Sequence, residues 1–366
     1  MVRIDRIRLE YTNRSKKFTL TAVDKQNAFE RQYNHIYVAR LQALKPRILD
    51  AGKKQIGEEI EYKQLEDIEL FEKAFVIGTI TKRINTRPSV LKEIADEELI
   101  VPEDYDDGEV ISTPSSRDVL EFEDEKQIVK LEVKSDVFNV ERIVWPTPCP
   151  QNSWPTNKTG GVVAFLSGLE LTRNAVDNVI QASVTTAFEL MSRWLNCELS
   201  PTCDLTSLSL RIDRVVLLGD SIALDQAHEF TSSVHYLNLS YKEASSNVET
   251  IACLDELLSR ISNRVKLDLV PGVGDPCPQQ LPQQPIHRAC LPRSSASGAA
   301  LTLATNPYEF SLAGIDILAT SGRAVSDLRR LSGVCSSCDL IELMLRWQHI
   351  APTCPDTVDG FPFENR

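Results

Sequence analysis

Three segments close an apolar run with glycine and a polar side chain, the arrangement that sets ligands beyond the carboxyl ends of parallel strands. They are Leu166-Ser-Gly-Leu169, Leu217-Leu-Gly-Asp-Ser221 and Val270-Pro-Gly-Val-Gly-Asp-Pro276. An aspartate just past a buried strand, as Asp220 is, can bridge two cations in a metallohydrolase, and a glycine beside it lets a phosphate approach. A two-metal centre needs about seven protein ligands, several of them histidine. The chain has five histidines in all. His35 falls in an N-terminal helical pattern, His228 and His235 in a polar stretch, and His287 and His349 near prolines. None follows a strand end in a His-x-His or Gly-x-His pair. Asp220 and Asp275 are therefore expected to serve turn and cap hydrogen bonds.

Other chemistry finds less support. Cys335-Ser-Ser-Cys338 has no second cysteine pair at zinc spacing, and no strand leads into it as a redox motif requires. Two free thiols are the expectation. The chain has no glycine-rich phosphate loop followed by Lys-Ser/Thr and no Gly-x-Ser-x-Gly elbow. Ser167 therefore has no defined partners as a nucleophile. Trp347, beside Leu343, Met344 and Leu345, reads as helix core. The basic residues Lys16, Lys17, Lys53, Lys54, Lys82 and Arg83 are scattered, with few aromatic platforms nearby, so single-strand binding is an alternative and not the leading reading.

These residues need elements to position them. Tyr33, Ile36, Tyr37, Arg40, Leu41, Leu44 and Ile48 predict an amphipathic helix from Phe29, with Ala51-Gly52 as its end. Residues 1–24 fit an edge strand or a disordered tail. Strands are expected over 74–81, with Gly78 marking a bulge or close backbone approach, and over 119–122 and 127–133 as a hairpin. A small antiparallel barrel would close them. Residues 93–109 carry nine acidic and no basic side chains, a solvated acidic loop that would point away from DNA. Pro146, Pro148, Pro150 and Pro155 exclude a helix or central strand, so a linker is placed at 146–160. Beyond Gly160 the rhythm turns α/β. Strands are expected at 162–166, 212–218, 265–270, 301–304, 310–312 and 315–319, with helices from Thr172 or Asn174 to Leu195 and from Tyr241 to Ile261. Val248, Ile251, Leu254, Leu257, Leu258 and Ile261 would share that last helix's apolar face.

The 366 residues suggest two or three domains. Apolar residues at 42% rule out global disorder, and a net charge of −12 argues against a whole-protein nucleic-acid clamp. Nine scattered cysteines read as a reducing compartment, nucleus or cytosol, so the sequons at Asn13, Asn157 and Asn238 carry no glycosylation meaning. No run approaches the length of a membrane span, and the first twenty residues lack the apolar core of a secretory signal.

The combination Leu281-Pro-Gln-Gln-Pro-Ile-His-Arg-Ala-Cys-Leu-Pro292 with Thr305-Asn-Pro-Tyr308 is more specific than any single Gly-Asp. Together with Phe29–Leu41, Val119–Leu131, Leu217–Asp220, Val270–Gly272, Asp275-Pro276, Thr320–Gly322, Ser326-Asp327 and His349–Thr357, it resembles the small, non-catalytic B-subunit family of replicative DNA polymerase delta. The resemblance implies an α/β fold class: an N-terminal segment with a helix over 1–55, an OB-like barrel over 56–145, the linker, and an inactive calcineurin-like phosphoesterase domain over 161–366. Measured against the family, the barrel is expected to be short of strands and the last domain truncated at its C-terminus. Ser167 and Leu169 stand where active relatives have Asp-x-His, and Ala223 takes the second aspartate of Gly-Asp-x-x-Asp. Pro271–Asp275 replaces Gly-Asn-His-Asp/Glu, so Ser167, Leu169, Asp220, Ala223 and Asp275 become vestigial metal positions. Asp220, Asp275, His287, Asn306, Asp327, His349 and Asp356 are structural candidates, with no catalytic residue, metal or cofactor. The implied function is a nuclear scaffold in DNA replication. It would join the catalytic subunit's cysteine-rich C-terminal module to a third, elongated subunit and meet DNA through the complex, with no membrane partner. A divergent metal-dependent phosphoesterase and an OB-type single-stranded DNA-binding module stay as alternatives.

Overall fold

Short runs of valine, leucine and isoleucine bounded by glycine, serine and proline become strands here, and longer runs with a 3.6-residue period become helices. The computed structural model describes residues 6–26, 30, 32–57, 60–69, 72–83, 119–131, 140–147, 153, 160–172, 182–199, 208–223, 241–262, 265–296, 300–332, 334 and 336–362. In chain order the strands are β1 (Tyr11–Asn13), β2 (Thr79–Arg83), β3 (Val119–Glu123), β4 (Ile128–Leu131), β5 (Val162–Leu166), β6 (Ile212–Leu218), β7 (Lys266–Val270), β8 (Leu301–Leu303), β9 (Tyr308–Leu312) and β10 (Ile315–Ala319). The helices are α1 (Ala22–Gln26), α2 (Asn34–Ile56), α3 (Ala182–Leu195), α4 (Tyr241–Ser262), α5 (Pro292–Ala296), α6 (Arg323–Leu331) and α7 (Ser337–Trp347). Packing divides the chain into two units, each assembled from separated segments. One comprises Met1–Gln26, Asn152–Arg323 and Asp359–Phe361; the other comprises Asn27–Gln151, Ala324–Val358 and Pro362–Arg366.

The first unit is a layered α/β body. β5, β6, β7 and β8 lie side by side in that order, all parallel. Parallel neighbours need crossovers, and α3 and α4 lie in those between β5 and β6 and between β6 and β7. Alternate strand residues serve opposite faces. Val215, Leu217, Leu267 and Leu269 pack with Phe188, Leu195, Leu254, Leu258 and Ile261 of the helices. Val216 and Val270 pack with Leu9, Tyr308, Phe310 and Leu312 of a second, antiparallel sheet ordered β1-β9-β10. Burial on both faces explains why β6 and β7 read as nearly continuous apolar runs. Of the two readings for residues 1–24, the edge strand is realised: β1 pairs with β9, Tyr11 opposite Leu312. One expectation needs correction. Val248 lies on the open side of α4 and is 64% exposed, because it precedes the stretch that covers the sheet.

In the second unit the N-terminal helix stops later than expected. Gly52 lies inside α2, and Gly57, at φ 97°, ends it. The role of Gly52 is close packing, since a Cβ there would lie 2.6 Å from the Phe75 ring. α2 is anchored by Tyr37, whose hydroxyl donates to Asp356 at 2.8 Å, and by Arg40, which donates to the Cys354 carbonyl at 2.6 Å. The hairpin forms as read: β3 pairs with β4, Leu120 opposite Leu131, around a turn where Asp124 accepts from the Lys126 and Gln127 amides. β2 completes a three-stranded antiparallel sheet but starts at Thr79, later than expected. Phe75 makes only an isolated bridge with Tyr62, and Gly78 is the close approach, since a Cβ there would sit 2.3 Å from the Glu123 carbonyl. An N-terminal helix and a small OB-like sheet thus accompany the layered α/β body. Trp347 is half-buried, its ring 6.2 Å from that of Trp145. The acidic run 93–109, Pro148, Pro150, Pro155, Asn174, His228, His235 and Cys335 lie outside the described residues. Among the described residues no helix is long and apolar enough to cross a membrane.

Candidate functional site

The loops after β5, β6 and β7 meet at one end of the parallel sheet, as the strand order requires. Backbone bonds stitch them together. The Glu170 amide donates to the Asp220 carbonyl at 2.9 Å, Leu171 to Ser221 at 3.0 Å, and Gly219 to Val270 at 2.8 Å. The two aspartates then cross between loops. The Asp220 carboxylate accepts from the Val273 amide at 2.9 Å and from Gly274 at 3.4 Å. The Asp275 carboxylate accepts from Ser221 and Ile222 at 3.0 and 3.2 Å, and from Gly272 of its own loop at 2.8 Å. Each acid therefore satisfies amides of the loop that carries the other. Gly272 makes this possible, since a Cβ there would fall 2.2 Å from the Asp220 amide nitrogen.

A second layer holds these loops from below. Gln283, fully buried, donates to the Gly272 carbonyl at 3.1 Å and accepts from the Asn306 side chain at 2.7 Å. Asn306 also donates to the Ser321 hydroxyl at 2.6 Å and accepts from the Ser321 amide at 3.2 Å. The backbones of Gln283 and Asn306 exchange a further pair of bonds at 2.8 and 3.0 Å. Gln283 and Ser321 fall in the segments that carry the family resemblance, Leu281–Pro292 and Thr320–Gly322, but their role could not be read there, because neither residue type implies it without its neighbours.

This arrangement does not fit a two-metal centre. A cation needs free lone pairs, and those of Asp275 face three N–H donors. Leu169 packs against the helix-side core, Ala223 offers only a methyl group, and Ser167 is exposed. Among the described residues no group of three or more His, Cys, Asp or Glu side chains is placed to hold a metal ion. Burial pushes the Asp275 carboxyl up to about 6, against the pull of its amide donors and with the nearby Asp220 charge adding to the push. A carboxyl raised in the folded state binds more protons there than in the unfolded chain. Its contribution therefore falls as pH rises from the unfolded value of 3.8 to about 6, and is level above. Urea midpoints of the wild type relative to Asp275→Asn should accordingly decline across that window. A pH-independent difference between the two would refute the assignment.

A second polar cluster lies between the two sheets of the same unit. Arg214 and Asp268, both fully buried, form an ion pair across β6 and β7. The Tyr308 hydroxyl donates to Asp268 at 2.9 Å and lies 2.7 Å from the Tyr11 hydroxyl. The Arg214 guanidinium sits 3.7 Å from the centre of the Tyr11 ring. Burial raises the Asp268 carboxyl and the Tyr308 phenol. The signal was available in the sequence as charges inside otherwise apolar strands, at Arg214 and Asp268.

The geometry invites comparison with known chains. The family model for the DNA polymerase alpha/epsilon B-subunit matches residues 163–366. The model described as DNA polymerase delta subunit OB-fold domain matches residues 32–168. The chain is 36% identical over 388 residues to the probable DNA polymerase delta small subunit of Caenorhabditis elegans, covering 98% of this chain and 84% of that one. The chain belongs to the DNA polymerase delta small-subunit family. It is also 28% identical over 421 residues to the DNA polymerase delta small subunit of Saccharomyces cerevisiae, covering 97% of this chain and 80% of the relative. With DNA polymerase delta subunit 2 of Drosophila melanogaster it shares 28% over 388 residues, 98% and 83% of the two chains. The layered body around the strand-end loops accordingly corresponds to the phosphoesterase-like domain of that family.

The other candidate residues lie in separate places. His287 is exposed and accepts from the Ala289 amide at 3.2 Å, capping a short 3-10 turn. Asp327 accepts from Arg330 at 2.9 Å and from the Thr357 hydroxyl at 2.5 Å. Asp356 accepts from Tyr37, and His349 accepts from the Ala351 amide at 3.3 Å. Burial lowers the His349 imidazole to about 4, with Arg40 adding to the effect, so the ring is neutral at neutral pH. Asp220, Asp275 and Asn306 converge at the strand ends. Asp327, His349 and Asp356 belong to the second unit.

Proposed function

We propose that the chain is a non-catalytic accessory subunit of the DNA polymerase delta complex, acting in the nucleus in DNA replication. It joins the catalytic subunit's cysteine-rich C-terminal module to a third, elongated subunit, and reaches DNA through the complex. The observation that carries this reading is that Asp275 accepts from three backbone amides, while leucine and alanine occupy the vestigial positions 169 and 223. Membership of the delta small-subunit family supports the place in the complex. Ser167, Leu169, Asp220, Ala223 and Asp275 are read as vestigial metal positions. The retained aspartates, with His287, Asn306, Asp327, His349 and Asp356, serve structure. The modules are taken as an N-terminal segment over 1–55, OB-like over 56–145, a linker over 146–160 and phosphoesterase-like over 161–366; the start of the B-subunit match at residue 163 supports the last boundary, while the OB-fold match over 32–168 runs across the first two and the linker.

Purified protein saturated with manganese is expected to show no phosphodiesterase turnover above an Asp220→Asn control. Turnover that vanishes with Asp220→Asn would establish the metal-dependent alternative instead. Co-expression with the catalytic subunit's C-terminal module should yield a complex stable to gel filtration. Failure to form it, with the chain otherwise folded, would remove the scaffold reading.

A further inference from the structure

Adjacent glutamines in the Leu281–Pro292 stretch face two different parts of the first unit. Gln283 holds the strand-end loops through the Gly272 carbonyl and Asn306. Gln284 grips the N-terminal segment: its side-chain oxygen accepts from the Leu20 amide at 3.0 Å, and its nitrogen donates to the Phe18 carbonyl at 3.0 Å. The N-terminal segment runs as a strap over the body. Arg6 donates to the Ser209 carbonyl at 2.5 Å and to the Leu195 carbonyl at the end of α3. Leu9 enters the core between the sheets, β1 adds to β9, and the Ser15 hydroxyl exchanges bonds with the Glu309 backbone at 3.0 and 2.8 Å. Gln284 holds the strap's far end, beyond Ser15.

We infer that Gln283 and Gln284 form a two-way clasp that makes the order of the strand-end loops depend on the seating of the N-terminal strap. The peptide joining the two residues is short and stiff, with Pro282 before it and Pro285 after it. The Gln283 backbone stays paired with Asn306 at 2.8 and 3.0 Å, so a shift of Gln284 on releasing the strap falls on the longer side-chain bond from Gln283 to the Gly272 carbonyl. Coupling of this kind is reciprocal, so loosening the loops must also loosen the strap. Gln283 and Gln284 are positioning residues here, and the inference stands independently of the proposed function.

Hydrogen exchange by mass spectrometry on the full chain tests this with three variants. Gln284→Leu removes the grip at nearly constant volume, and Leu20→Pro removes the donor from the strap side. Both should raise exchange of the Gly272, Val273 and Gly274 amides about fivefold, the effect of losing one ordinary hydrogen bond. Exchange within residues 251–261 of α4 should stay at wild-type rates. Gln283→Leu should raise exchange at residues 18–21 as well as at the loops. A rise confined to 18–21 in the first two variants would overturn the coupling, as would a uniform rise through α4, which would report general destabilisation.

Discussion

Replacing Asp268 by Ala is expected to destabilise the layered α/β unit by about 3–5 kcal/mol, because Arg214 would remain charged and buried with no counter-charge. Arg214 and Asp268 are 3% and 0% exposed, so water cannot take over the lost interaction. Equilibrium urea unfolding followed by circular dichroism would measure the loss. The double variant Arg214→Met with Asp268→Leu removes both charges together and should lose far less than either truncation alone. Tyr308→Phe, which deletes a donor to Asp268 and leaves the ring stacked 4.7 Å from Phe310, should cost about 1–2 kcal/mol. Strict additivity of the Arg214→Met and Asp268→Leu single losses in that double variant would refute a coupled pair.

The second large effect belongs to the strand ends. Asp275→Ala orphans the amides of Ser221, Ile222 and Gly272 in a site where Asp275 is 5% exposed. At about 1–3 kcal/mol per buried unsatisfied donor, a loss of about 4 kcal/mol is expected, with partial relaxation of the loops. Asp220→Ala should cost less. Its carboxylate serves one good amide bond and one long one, and its side chain is only half-buried. Gly272→Ala attacks the same place sterically and should match Asp275→Ala in size, since the clash is with backbone and cannot be relieved by a rotamer. Thermal unfolding of the three variants gives the order directly. Equal losses for Asp220→Ala and Asp275→Ala would contradict the crossed-carboxylate arrangement.

What could be read from the chain itself was local. Apolar runs of five to seven residues became β5, β6 and β7 at nearly the expected bounds, since a strand buried on both faces leaves a continuous apolar signature. The turn after Glu123 was legible because Asp124 bonds its own turn amides. The missing histidines at the strand ends were visible as composition. Helix ends were less legible: Gly52 looked like a stop, yet it packs on Phe75, a partner twenty-three positions away that no local rule supplies. The character of the site was decided by tertiary structure alone. Asp275 accepts from amides 53 and 54 residues away, and Tyr11 meets Tyr308 across 297 residues. Sequence determined that two aspartates would follow the strands. That they would accept backbone N–H bonds was expected as well; only the fold decided that most of those donors sit on the loop carrying the other aspartate, because an acceptor's distant partners are set by which loops the sheet order brings together.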